Sequence, residues 1–265
     1  MEKISVLCCV YNEEKRIERF CKSFSQYDEI IIVDKSSTDK TVELAKKYAN
    51  VKVVKIPYSD RGDIYAVAAR EGRNEWVMFV TASDIVHPEL LDRLDEFYSN
   101  NNTAELIYVP YMIYCQGICS RYSIFDYPYR PCLAKKTVCE FSDKVHQELS
   151  FNTSKRVYMP KDREIAIHHL THQTIESSFE RLVRYSREEL KKNRSLKDAK
   201  KEIITTFKSY ITHRGYKLRE DGFALMMINL FYKICIYLRV WEEKRNIDVE
   251  EYYNNLANNY EALKK

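Results

Sequence analysis

Short apolar runs alternate with amphipathic segments along the first third of the chain. Ile4–Val10 is an apolar run rich in β-branched residues, which is typical of a buried strand. After it, apolar residues recur at Ile17, Phe20, Cys21 and Phe24, the spacing of one helix face. The pattern therefore predicts a strand, a polar turn and a helix.

The same alternation then repeats. Glu29–Val33 predicts a second strand, and Ser37-Thr38-Asp39 supplies N-cap residues for the helix that follows. Val51–Ile56 and Glu75–Val80 predict a third and a fourth strand. Strands that alternate with helices indicate a mostly parallel sheet, and such sheets bind ligands at the carboxyl ends of their strands. We expect an α/β fold.

The last third of the chain has helical spacing. Residues 223–241 are strongly apolar, but Asn229, Lys233 and Arg239 interrupt them, which argues against a helix that spans a membrane. We expect a helix that packs on the first domain, with a membrane-surface helix as the alternative. Asp221-Gly222 is expected to break the helical run.

The carboxyl end of the second predicted strand carries Asp34, where it can hydrogen-bond a nucleobase or a ribose. Asp39 suits the same role, or a capping role at the next helix. The turn after the first strand, residues 11–15, contains no glycine, which excludes a glycine-rich dinucleotide site. A bound diphosphate would then be met by a metal ion or by Arg and Lys side chains.

The distribution of charge and the cysteines restrict which binding partners and which cellular compartment are expected. Residues 1–150 carry a net charge of −3 and residues 151–265 one of +7, so the helical half suits an anionic membrane surface, a phosphate-bearing acceptor or plain solvation. No motif accompanies these charges that would indicate nucleic-acid binding. The eight cysteines include no CxxC pair, which favours buried thiols over a structural zinc site. No secretory signal is recognised. The free thiols and the absence of a recognised signal both favour a cytoplasmic location.

Three segments carry a family resemblance: SVLCCVYNEE, IIIVDKSSTDKT and NEWVMFVTASDIVHPEL. They resemble the family 2 glycosyltransferases, and HQELSF, IAIHHLTHQTIESSFERLVRYS and REDGFALMMINLFYKICIYLRVWEE are similar to their bacterial lipopolysaccharide-core and β-1,4-glucosyltransferase-like branch. The resemblance implies a GT-A nucleotide-sugar-binding domain over residues 1–170 and a helical subdomain over residues 171–265.

The resemblance also implies donor contacts at the strand-end turns. The Arg-Asn pair that the family often places before the fourth strand falls on Tyr65-Ala66, so other residues are expected to replace it. The residues predicted to contact the nucleotide-sugar are Tyr11, Asn12, Glu13, Asp34, Asp39, Arg61, Asp63, Arg70 and Ser83.

The turn after the fourth strand is expected to hold Mg²⁺ or Mn²⁺. The family's Asp-x-Asp pattern falls on Thr81-Ala82-Ser83-Asp84, which leaves Asp84 as its acidic residue. Counting back from Tyr185-Ser186 assigns His169, rather than His168, as the family's histidine and as a second ligand of the metal or diphosphate. The alternatives are a helix cap for Asp84 and a structural role for His169.

Inverting transfer to a hydroxyl requires a general base. The family's Val-His-Glu motif is similar to Val145-His146-Gln147-Glu148, which makes Glu148 the first choice, with His146 and Asp143 as alternatives. We therefore expect a hexosyltransferase that uses a nucleoside-diphosphate sugar and a hydroxyl of a cell-surface glycan or lipid-linked saccharide. It would work in the cytoplasm or at the inner face of the plasma membrane. The alternative is a homologue without transfer activity that serves in binding or assembly.

Overall fold

The computed structural model describes residues 3–57, 64–125, 128–141, 149–190 and 194–262. The chain forms two compact units. The first contains Met1–Cys119 and Asp126–Thr171, and the second contains Ser120–Phe125 and His172–Lys265. The expected domain boundary at residue 170 falls one residue before the end of the first unit.

The first unit is built on a mixed, mostly parallel sheet. Its strands are β1 (Ile4–Val10), β2 (Glu29–Asp34), β3 (Val51–Lys55), β4 (Trp76–Thr81), β5 (Asp84–Val86), β6 (Leu106–Cys115), β7 (Tyr129–Lys135), β8 (Cys139–Glu140), β9 (Ser150–Phe151), β10 (Arg156–Tyr158) and β11 (Ile167–Thr171). The sheet order is β3-β2-β1-β4-β7-β6-β11-β5, with β10 paired to β6, while β8 and β9 pair separately. The predicted α/β fold class is confirmed.

Helices cover both faces of this sheet because successive strand residues point to opposite sides. The helices are α1 (Ile17–Ser23), α2 (Thr41–Ala45), α3 (Ile64–Glu71) and α4 (Leu90–Ser99). Val6 and Cys8 of β1 pack in the same core cluster as Phe20 of α1, whereas Leu7 packs with Ala68 of α3 on the other face. This two-sided burial explains why the first strands are continuous apolar runs.

The strand order reverses between β1 and β4. From β1 the chain proceeds to β2 and β3 on one side, and then returns to place β4 on the other side of β1. All of these neighbours are parallel, so their carboxyl ends meet at one edge of the sheet. This is a topological switch point, where open α/β sheets bind their ligands.

The second unit is helical, as the spacing predicts. It contains α5 (Ile175–Leu190), α6 (Leu196–Thr212), α7 (Arg219–Arg245) and α8 (Val249–Ala262). The rings of Phe179 and Phe231 stack at 4.1 Å between α5 and α7, and Lys233 Nζ lies 3.0 Å from Glu202 Oε2 between α6 and α7. The segment Gly215–Arg245 is long and apolar enough to cross a membrane by length and composition, but 33% of its most apolar window is buried within the protein.

The expected break at Asp221-Gly222 is wrong, because α7 runs through it. The chain turns earlier, at Arg214 with φ 58° and in the short 3-10 helix Gly215–Leu218. A side chain at Gly222 would collide with the carbonyl oxygen of Gly215. Glycine therefore serves close backbone approach here rather than helix termination.

Candidate functional site

The turns that follow β1 and β2 are joined by hydrogen bonds. The backbone N–H of Asn12 donates to Ser37 Oγ at 2.9 Å, and the Thr38 N–H donates to Asn12 Oδ1 at 2.9 Å. The Glu13 N–H donates to Thr41 Oγ1 at 2.7 Å. Side chains of one turn thus satisfy the backbone of the other, and the two turns form one polar surface.

These turns reach left-handed backbone conformations without glycine. Asn12 has a φ of 53° and Ser36 one of 60°, in the region that glycine adopts most readily. Both therefore keep polar side chains where a glycine-rich loop would expose bare backbone. The Ser36 hydroxyl uses this position to donate to the Ile56 carbonyl at 2.8 Å.

Asp39 stabilises the start of α2. Its carboxylate accepts from the Thr41 N–H at 3.0 Å and from the Glu14 N–H at 3.1 Å, and also from the Thr41 hydroxyl. Burial raises the pKa of Asp39, but these hydrogen bonds outweigh it and hold the pKa below its ordinary value. The geometry favours the capping role, and contact of Asp39 with a donor stays a prediction.

Asp34 lies beneath the surface of the joined turns. Its side chain is fully buried, and both of its oxygens are 3.2 Å from the Ser37 N–H. The neighbouring Tyr11 is 41% exposed instead. Direct contact between Asp34 and a nucleoside would require the turn to move, whereas Tyr11 already reaches the surface.

Asp84 and His169, the two predicted metal ligands, lie side by side. They are opposite each other in the antiparallel pair β5 and β11, and His169 Nδ1 lies 2.7 Å from Asp84 Oδ1. The adjacent His168 points the other way, to the Tyr114 hydroxyl at 3.1 Å. Asp84 Oδ2 accepts from the Thr81 N–H at 2.7 Å and from the Thr81 hydroxyl at 3.1 Å. Both oxygens of the Asp84 carboxylate therefore already have partners within the protein.

The donors of this turn do not fit a divalent cation held by carboxylates. Mg²⁺ and Mn²⁺ prefer several oxygen ligands, yet Asp84 is 1% exposed and has both oxygens engaged. Ser83 and Thr81 offer neutral hydroxyl groups in the two Asp-x-Asp positions. Across the described ranges, no group of three or more His, Cys, Asp or Glu side chains could hold a metal. Metal binding by Asp84 and His169 stays a prediction.

Arg16 belongs to this site but was not among the predicted residues. Its Nη1 donates to Ser83 Oγ at 2.9 Å, and its Nε lies 2.5 Å from Glu13 Oε2. It thereby joins the turn after β1 to the turn after β4. The available signal was a basic residue directly after the polar turn, but its role depends on the adjacency of β1 and β4, which the local sequence does not give.

The other predicted site residues lie elsewhere. Arg70 is in the last turn of α3, next to Gly72, whose Cα region packs against Ser5 at the start of β1. Arg70 is therefore at the opposite edge of the sheet from the strand-end turns. The residues outside the described ranges are Arg61, Asp63, Asp143, His146 and Glu148.

All eight cysteines are free thiols. Burial raises the pKa of Cys9, next to the joined turns, to about 11, and that of Cys21 to about 12. Both are therefore protonated and weakly nucleophilic at neutral pH.

Part of this chain is similar to known glycosyltransferases. Residues 5–131 match the model of Glycosyl transferase family 2. An uncharacterized glycosyltransferase of Rickettsia bellii is 28% identical over 249 residues, which cover 87% of this chain and 83% of the relative. The poly(ribitol-phosphate) beta-N-acetylglucosaminyltransferase TarS of Staphylococcus aureus is 29% identical over 118 residues, 40% of this chain and 21% of that protein.

Among solved structures, S. aureus TarS 1-349 in complex with UDP-GlcNAc is similar with a TM-score of 0.49 and 18% identity, over 92% of this chain and 91% of that one. The family match spans a little under half of this chain, and the relatives that match over most of it are named as glycosyltransferases.

Proposed function

We propose that this chain is an inverting hexosyltransferase that moves a sugar from a nucleoside diphosphate to a hydroxyl of a cell-surface glycan or a lipid-linked saccharide. The observation that carries the proposal is the pair of joined polar turns after β1 and β2, beside the β1–β4 switch point and inside the segment that matches the family model. The later segments that resemble the lipopolysaccharide-core and β-1,4-glucosyltransferase-like branch support placement in that branch.

Donor binding is assigned to the surface of the joined turns. Tyr11 is exposed and offers a ring on which a nucleobase can stack. Asn12, Glu13 and Ser83 line the same edge, while the buried Asp34 shapes it through Ser37. A surface preformed by hydrogen bonds loses little conformational entropy when it binds a ligand.

The transfer step needs one base and one leaving group. Glu148 accepts the proton of the acceptor hydroxyl, with His146 and Asp143 as alternatives, and the hydroxyl oxygen forms the new bond to the anomeric carbon. The bond from that carbon to the phosphate oxygen breaks, and its electron pair leaves with the nucleoside diphosphate. Attack opposite the leaving group inverts the anomeric carbon.

Calorimetric titration of UDP, GDP, ADP and dTDP, and of their glucose conjugates, tests donor binding with EDTA and with Mn²⁺. We expect the nucleoside diphosphate of one base and its glucose conjugate to bind. Absence of binding by every compound under both conditions would contradict the proposal. The binding-protein alternative rests on Thr81 and Ser83 in place of acids, and it predicts binding without release of nucleoside diphosphate for any acceptor.

The Glu148→Gln variant separates chemistry from binding. We expect it to bind the donor normally and to lose transfer, because the amide cannot accept the proton. Glu164→Gln, at an exposed position of the first unit, is the matched control and should keep wild-type turnover. Full turnover by Glu148→Gln would move the base to His146 or Asp143.

A membrane contact through α6 is also proposed. The exposed Ile204, Phe207 and Ile211 share one helix face with the exposed Lys200 and Lys208. Apolar residues framed by lysines on one face are typical of helices that lie on anionic lipid. This contact would bring the enzyme to a lipid-linked acceptor at the inner face of the plasma membrane.

Vesicle sedimentation tests this contact. We expect binding to vesicles that contain phosphatidylglycerol, weaker binding to phosphatidylcholine alone, and loss of binding in the double variant Phe207→Ser with Ile211→Ser. Tyr253→Ser changes an exposed apolar residue of α8 and is the control. Equal sedimentation of the double variant and this control would rule out the α6 face.

A further inference from the structure

Arg16 lies at the switch point between β1 and β4. It follows the turn after β1, and its guanidinium contacts Ser83 in the turn after β4. Because β1 and β4 are adjacent parallel strands, this contact spans the crevice between their carboxyl ends. The side chain is 18% exposed, so it reaches solvent from a mostly enclosed position.

We propose that Arg16, rather than a divalent cation held by the turn, neutralises the diphosphate of the donor, so that donor binding does not require a metal. The inference rests on the proposed function and deepens it. It follows from a mismatch: both oxygens of the Asp84 carboxylate are engaged by Thr81 and His169, while a permanent cation contacts Ser83 at the second Asp-x-Asp position.

The orientation of Arg16 leaves donors for a ligand. Nε faces Glu13 and Nη1 faces Ser83, so, among the contacts of the described residues, the Nη2 amino group keeps its N–H donors. A guanidinium stays charged at all relevant pH values and binds phosphate oxygens through parallel N–H groups. Its pairing with Glu13 restricts the side chain to one orientation before the ligand arrives.

Ser83 makes this arrangement compatible with an anion. Arg16 already pairs with the Glu13 carboxylate, so a second carboxylate at this position would outweigh the guanidinium charge and would repel a diphosphate unless a metal ion also bound. A hydroxyl instead accepts a hydrogen bond from Arg16 and adds no negative charge. When the sugar leaves, the charge that develops on the departing phosphate oxygen is then stabilised by the fixed guanidinium.

The test is calorimetric titration of UDP, GDP, ADP and dTDP, and of the corresponding nucleosides, into the full chain. We expect the nucleoside diphosphate that binds best to bind equally well in EDTA and in Mn²⁺. Arg16→Gln should weaken binding of that diphosphate roughly 10- to 100-fold, because it removes a hydrogen bond to a charged group. The affinity for the nucleoside should not change. Arg19→Gln, at an exposed position of α1, should match the wild type.

A second variant keeps the inference testable if Arg16→Gln loses stability in thermal unfolding. Ser83→Asp retains Arg16 but places a carboxylate beside it, and we expect weaker diphosphate binding in EDTA with partial recovery in Mn²⁺. Diphosphate binding that disappears in EDTA, or that is the same in Arg16→Gln and Arg19→Gln, overturns the role of Arg16 and leaves the proposed function intact. Wild type that binds none of the compounds overturns both.

Discussion

The strand-end turns of the first unit contain two layers of polar groups, and the layers differ in what they can do. The inner layer consists of the buried carboxylates Asp34 and Asp84, which accept hydrogen bonds from their own turns. The outer layer consists of Tyr11, Arg16 and His169, which reach solvent. A carboxylate whose oxygens accept hydrogen bonds from the protein holds the shape of a site, whereas a partly exposed ring or cation can contact a ligand. The acidic residues of a motif are therefore not by themselves its ligand contacts.

The largest expected effect comes from the inner layer. Asp84→Ala leaves the Thr81 N–H without its acceptor and removes the partner of His169 Nδ1. We expect a loss of about 3 kcal/mol in the free energy of unfolding, measured by urea denaturation. Asp92→Ala, at an exposed position of α4, is the control. A loss no larger than that of the control would show that Asp84 is not a structural acceptor.

Substitutions in the outer layer should change ligand affinity rather than the free energy of unfolding. Tyr11→Ala removes the exposed ring, and we expect roughly tenfold weaker nucleoside binding by calorimetry, the usual cost of losing one stacking partner. Its unfolding midpoint should stay that of the wild type. Tyr253→Ala, which removes an exposed ring of α8, controls for loss of aromatic surface. Unchanged nucleoside affinity in Tyr11→Ala would remove this residue from the donor site.

Asp39 offers a pH test of the capping role. Asp39→Ala should cost about 1 kcal/mol of stability, the usual value for a lost cap. Because hydrogen bonds hold the pKa of Asp39 below its ordinary value, this contribution is fully present above the unfolded pKa of about 3.9 and is lost as the pH falls through the folded pKa.

Urea unfolding of wild type and variant along an acid series measures this difference. We expect a constant gap at neutral pH that closes in acid. A gap that widens in acid would mean that the folded pKa is raised, contrary to the hydrogen bonds of Asp39.

The smallest effect is expected for Asp34. Asp34→Asn retains an oxygen that can accept from the Ser37 N–H, so the turn should keep its shape and the nucleotide affinity should change little. If Asp34 contacts the nucleoside directly, the same variant should weaken binding at least tenfold, about 1.4 kcal/mol. Calorimetry therefore decides between a role beneath the surface and a role in contact with the ligand.

The local sequence pattern predicted the fold well because a strand that is buried on both faces is a continuous apolar run. β1 and β2 were predicted from apolar runs, and both strands lie where these runs are. Arg16 was missed because its contact with Ser83 depends on the order of strands distant in sequence. The burial of Asp34 could not be predicted from the sequence either, because an aspartate at the end of a strand suits both the inner and the outer layer. Gly222 was misread because close approach to Gly215 exists only in three dimensions.

Hydrogen–deuterium exchange of the full chain, with and without the best-binding nucleoside diphosphate, tests most directly that the donor lies on the outer layer. We expect the ligand to slow exchange in residues 11–16, 35–41 and 81–84, the turns after β1, β2 and β4. Protection confined to the second unit, or to the cavity of about 310 Å³ that Arg93, Phe97 and Met159 help to line, would contradict a donor site at the switch point.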